Sequence, residues 1–69
     1  MDLIPVNSSD LEGVMYDPET GILLVEFKSG NTYQYNGVQQ DVFNELVSAS
    51  SIGKYFNQFI KGSYSYSKI

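Results

Sequence analysis

Two short turn sequences constrain this chain more than any other feature in it. In Asp17-Pro18-Glu19-Thr20-Gly21, proline presets φ at the second turn position and glycine accepts a left-handed conformation. In Lys28-Ser29-Gly30, a three-residue hairpin loop places glycine where left-handed geometry is needed. If Pro18 to Gly21 form the first loop, Tyr16 lies opposite Leu23 and Val14 opposite Val25. If Lys28 to Gly30 form the second, Phe27 lies opposite Asn31, Val25 opposite Tyr33 and Leu23 opposite Tyr35. Both registers put Val14, Tyr16, Leu23, Val25, Phe27, Tyr33 and Tyr35 on one face, and a slip of one residue in either hairpin would scatter them. The expectation is a three-stranded antiparallel meander. Its reverse face carries Met15, Ile22, Leu24, Glu26, Thr32 and Gln34 and is half apolar, which asks for cover by the tail or by a second chain.

Beyond Asn36-Gly37 the period changes. Val42, Phe43, Leu46 and Val47 recur at helical spacing, with Asp41 near the start where its charge suits the helix dipole. Ile52, Tyr55, Phe56, Phe59 and Ile60 follow the i, i+3, i+4, i+7, i+8 rule of a second helix, so Phe56 and Phe59 are both expected in the core. Ser50 or Ser51 is available as its N-cap and Gly62 as its stop. Gly53 weakens the first turn by about 1 kcal/mol unless close backbone approach requires it. The tail from Ser63 to Ile69 alternates like a short strand with Tyr64 and Tyr66 together, which would add to a sheet edge or stay loose. Pro5 argues against a central strand near the start. The fold class is therefore α+β: the meander, two helices packed on one sheet face, and a Tyr-rich tail with the pattern of an extra short strand.

Sixty-nine residues supply one hydrophobic core and are too few for two, so residues 1–69 are read as a single domain. An apolar fraction of 42% with six Tyr and four Phe is far from a disordered profile. With no Cys and no His, thiolate metal sites, disulfides and the usual neutral-pH general base are missing. No apolar run approaches membrane-spanning length, and no secretory leader pattern is visible, so a cytoplasmic location is the default and no membrane contact is expected. Eight acidic side chains against four lysines give a net charge of -4, which mildly repels nucleic acid.

Several stretches resemble the KTSC domain, named after the C-terminus of some lysyl-tRNA synthetases and also found as a free-standing small protein of bacteria and phages. They are Val6-Asn7-Ser8-Ser9, the segment from Val14 to Thr20, the segment from Val25 to Gly30 with Tyr33-Gln34-Tyr35, and Gly53-Lys54-Tyr55-Phe56-Asn57 with Ile60-Lys61-Gly62. The family's Tyr-x-Tyr mark falls on Tyr33 and Tyr35. The synthetase context implies an RNA association. This chain departs from the family's more basic C-terminal pattern, its cations there being Lys54, Lys61 and Lys68.

No catalytic, cofactor-binding or metal-binding residue is expected. Asp10, Glu12, Asp17, Glu19, Glu26, Asp41 and Glu45 are spread over turns, strand faces and a helix start rather than paired for acid/base work, and neither Ser8 nor Ser9 has a third group to activate it. Ser50-Ser51-Ile52-Gly53-Lys54 opens a helix and reads as plain capping ahead of anion binding. The candidate contact residues are Tyr33, Tyr35, Tyr64 and Tyr66 with Lys54, Lys61 and Lys68, a small basic-aromatic set. Tyr33 and Tyr35 are expected mainly in the core or at its rim. The functional expectation is a non-catalytic interaction or accessory domain whose partner is another protein or a second copy. The alternative is a weak RNA or single-stranded nucleic-acid binder.

Overall fold

The computed structural model describes residues 4–6, 8 and 10–69. The elements run β1 (Ile4–Pro5), β2 (Leu11–Asp17), β3 (Ile22–Phe27), β4 (Thr32–Tyr35), α1 (Gln40–Ser48), α2 (Ile52–Tyr55) leading directly into a π turn (Phe56–Ile60), and β5 (Tyr66–Lys68). All neighbouring strands pair antiparallel in the order β1-β2-β3-β4-β5.

Both hairpin registers are those that the turn residues require. Val14 faces Val25 and Tyr16 faces Leu23 across the first hairpin; Leu23 faces Tyr35 and Val25 faces Tyr33 across the second. Gly21 and Gly30 adopt φ of 73° and 98°. In the second loop the Phe27 amide donates to the Asn31 carbonyl at 2.8 Å and the Gly30 amide to the Phe27 carbonyl at 2.9 Å. Gly21 has a further reason to lack a side chain, since a Cβ there would meet the Val38 carbonyl oxygen at 3.3 Å.

The predicted face is the core face. Val14, Leu23, Val25 and Tyr35 are buried with Leu11 and Val38, and Phe43, Leu46, Ile52, Phe56 and Ile60 close over them from the helical side. Tyr16, Phe27 and Tyr33 are half-buried and pack against that cluster. Tyr16 stacks on Phe43 with ring centroids 4.6 Å apart, tying β2 to α1. Pro5 stands in an edge strand, where its missing N–H costs no ladder bond.

The second helix departs from expectation. The Lys61 amide donates to the Phe56 carbonyl at 2.9 Å, an i→i+5 closure that rotates the chain less per residue than the α-helical one. Phe56 and Ile60 stay in the core, at 1% and 0% exposure, while Phe59 swings out to 48%; the expectation that Phe59 is buried is corrected. Ser51 occupies the N-cap position without a side-chain cap bond. The glycines with positive φ among the described residues are Gly21, Gly30 and Gly37, so Gly62 is not a left-handed stop. Gly53 is explained by close approach, since a Cβ on it would lie 3.2 Å from Ser8 Oγ.

The tail becomes β5 and pairs with β4 at the sheet edge. It does not cross the reverse face, where Met15, Ile22 and Leu24 remain half-buried. No helix is long and apolar enough to cross a membrane among the described residues.

Candidate functional site

The site residues are best followed from β5 outward. In its pairing with β4, Tyr66 lies opposite Tyr35 and Lys68 opposite Tyr33. Directly opposed residues of an antiparallel pair project to one side, so these four side chains share the core face at the end where the helical cover stops. Burial grades across them: Tyr35 is 3% exposed, Tyr33 is half-buried and Tyr66 is 58% exposed.

The rings form a connected set. Tyr66 stacks on Tyr35 at 5.5 Å with planes 29° apart and leans on Tyr33 at 5.9 Å. Phe27 and Tyr33 are T-shaped at 5.6 Å, and Phe56 makes T-shaped contacts with both Phe27 and Tyr35 from the core. Burial lifts the Tyr35 phenol above its usual ionisation range, and the neighbouring Tyr66 and Tyr33 add to the lift, so Tyr35 stays a neutral hydroxyl through the physiological range.

Between these rings runs a groove of about 350 Å³ lined by Phe27, Ser29, Asn31, Tyr33, Tyr35, Lys61 and Tyr66. Lys61 is the single charged residue in that lining. A second cleft of about 330 Å³ shares Phe27, Ser29 and Lys61 with the first and continues past Lys28 and Asn57 to Asp10. Lys61 thus stands where the two clefts meet. It owes that place to the π turn, whose closing N–H it supplies.

Of the seven predicted contact residues, Tyr33, Tyr35, Tyr66 and Lys61 line the groove, and Lys68 shares their face. Lys54 does not join them. It lines an adjoining recess with Ser8, Ser50 and Ser51 at the opposite end of the second helix, which shares Asp10, Gly53 and Asn57 with the second cleft. In that recess Ser8 Oγ accepts from the amides of Asp10 and Leu11, at 3.2 and 3.3 Å. Tyr64 also stands apart: the chain bends there, and the ring is half-buried against the core near Tyr16 and Tyr55. Strand alternation begins only at Tyr66, so the short strand of the tail leaves out Tyr64.

The sequence reading overlooked Phe27, Ser29 and Asn31 as groove residues. The signal was in the second hairpin register, which puts Phe27 one pair beyond Val25 and Tyr33 on the aromatic face. Among the described residues no group of three or more Asp, Glu, His or Cys side chains is arranged to hold a metal ion. Tyr55 Oη donates to Glu45 Oε2 at 2.9 Å, a link between the two helices by residues outside the groove lining. Asn7 and Ser9, part of the first family-like stretch, lie outside the described residues.

Comparison with known proteins adds four findings. The family profile described as the KTSC domain matches residues 7–64. The chain is 44% identical over 61 residues to an uncharacterised protein of Stutzerimonas stutzeri, covering 88% of this chain and 86% of the relative. It is also 39% identical over 67 residues to a lysine–tRNA ligase of a Nostoc species, where it spans 97% of this chain but only 12% of the ligase. Among solved structures, the crystal structure of a KTSC domain protein from Yersinia pestis superposes with a TM-score of 0.92 at 38% identity, covering 99% of this chain and 96% of that one.

Proposed function

This chain belongs to the KTSC domain family, and from that premise we propose that it is a non-catalytic binding module whose contact surface is the aromatic groove beside Lys61. The observation that carries this reading is the composition of the groove against that of the chain. Eight acidic residues outnumber four lysines overall, yet the groove is lined by four aromatic rings and one lysine with no carboxylate. An exposed Tyr held against a buried one supplies a large, rigid contact at little entropic cost. The partner in this reading is an extended segment of another protein.

A second reading is single-stranded RNA. It is favoured by the outward face of Tyr66, by Lys68 beside Tyr33, and by the presence of a similar segment within a lysine–tRNA ligase. Its expected strength from the isolated chain is low, about 10⁻⁴ M at physiological salt, because so few lysines release few counterions.

Site-specific photocrosslinking distinguishes these. The chain carrying p-benzoylphenylalanine at Tyr66 should form protein adducts in lysate, and the same reagent at Met15 on the reverse face should not. Nuclease-sensitive adducts at Tyr66 would favour RNA. Adducts confined to Met15 would remove the groove as the contact surface.

A further inference from the structure

Resting on the groove reading, we propose that the occupant is an extended, proline-bearing peptide with an acidic side chain that meets Lys61. Length comes first. The two clefts share Phe27, Ser29 and Lys61, so together they form one trough that a compact ligand would fill only in part and a strand-like segment would follow.

The chemistry changes along the trough. Its aromatic end presents the rings of Phe27, Tyr33 and Tyr66 with the amide of Asn31. Ridges of this kind accept the pyrrolidine rings of a polyproline II segment, whose backbone carbonyls are unpaired and open to donors such as phenol hydroxyls and side-chain amides. Proline has no N–H, and the carboxylate-free lining offers no charged acceptor for one. At the junction, Lys61 and the adjoining Lys28 favour a carboxylate.

The far end decides between peptide and nucleic acid. Asp10 lines it, with Lys54 in the recess beyond, and a strand carrying a phosphate at every nucleotide would bring one against that carboxylate before it reached the lysine. A peptide meets the same requirement with one acidic residue at the junction and an uncharged or basic residue at the Asp10 end. Charge complementarity is therefore local and ordered, and it matches a heteropolymer of mixed charge better than a uniform polyanion.

The test uses the full chain labelled with ¹⁵N and three probes. These are a proline-rich decapeptide with one central aspartate, the same peptide with asparagine in its place, and a ten-nucleotide oligouridylate. The aspartate peptide is expected to shift the amides of Phe27, Ser29, Lys61 and Tyr66 and to bind about five-fold tighter than its asparagine counterpart. Lys61→Gln should abolish that difference and Lys61→Arg should keep it, with circular dichroism reporting that each variant is folded. Equal binding of the two peptides overturns the proposal. Tighter binding of oligouridylate at the same amides overturns the peptide as occupant while leaving the groove as the binding surface. If no probe shifts groove amides at millimolar concentration, the proposed occupant is wrong, and crosslinking at Tyr66 separately decides whether the groove binds anything.

Discussion

The hydroxyl of Tyr16 donates to the carbonyl of Val38 at 2.6 Å, joining the end of β2 to the loop that leads into α1. Val38 is 2% exposed, so its carbonyl has little access to water if the phenol is removed. Tyr16→Phe keeps the ring stacked on Phe43 and deletes only the donor. The expected loss is about 1–2 kcal/mol in urea unfolding, the range for a hydrogen bond whose acceptor is left unpaired. No measurable change would mean that water replaces the phenol.

The same carbonyl limits Gly21. Alanine there must adopt a φ near 73° and place its Cβ 3.3 Å from the Val38 oxygen, whereas at Gly30 the added Cβ meets nothing within 4 Å. Gly30→Ala should cost about 1–2 kcal/mol from backbone conformation alone, and Gly21→Ala more. Combined with Tyr16→Phe, Gly21→Ala should show a non-additive term above about 0.5 kcal/mol, because both changes act on one carbonyl. Additive losses in denaturant melts would place the strain elsewhere.

Phe56 and Phe59 separate the π turn from an ordinary helix. Phe56→Ala empties a site at 1% exposure and is expected to cost about 3–5 kcal/mol, enough to unfold most of the population of so small a domain. Phe59→Ala, at 48% exposure, should cost below about 1 kcal/mol. Equal, large losses in the two variants would restore the α-helical placement of Phe59.

The Tyr35 phenol ties stability to alkaline pH. Its ionisation is raised in the fold, chiefly by burial and then by Tyr66 and Tyr33, so the unfolded chain gives up this proton at a lower pH than the native one does. The stabilisation is complete below about pH 10, the ordinary tyrosine value, and is lost as pH rises through the higher native value. Stability measured from pH 8 to 11.5 should fall above about pH 10, with a smaller fall in Tyr35→Phe. An unchanged slope in that variant would assign the alkaline loss to Tyr16 or Tyr55, whose phenols are also raised, mainly by burial.

The meander was legible because two independent signals agreed: turn chemistry set each register, and apolar alternation satisfied both at once. β1 escaped notice because its two residues, Ile4 and Pro5, carry no alternation. The π turn escaped because a run such as Ile52, Phe56, Phe59 and Ile60 satisfies α-helical spacing, and residue type does not report which carbonyl an amide chooses. The groove was half legible. The Tyr-x-Tyr strand and Lys61 stood out locally, but their meeting with Phe27 and Tyr66 depends on pairing between β4 and a tail some thirty residues later, which local pattern does not encode. Tyr64 lies outside the groove for a local reason, a bend just before the strand begins.

The strand order has a further consequence for the domain as a transplantable part. β1 and β5 form opposite margins of the sheet, four inter-strand steps apart, or roughly 19 Å at about 4.8 Å each. A polypeptide joined ahead of β1 would hold the domain by one margin and leave Tyr66, with the aromatic end of the trough, at the other. Held on such a leash, a contact too weak to matter between free molecules operates at an effective concentration of about millimolar. Fusion to a larger host would then convert a modest grip into occupancy, with no new contact between the domain and its ligand.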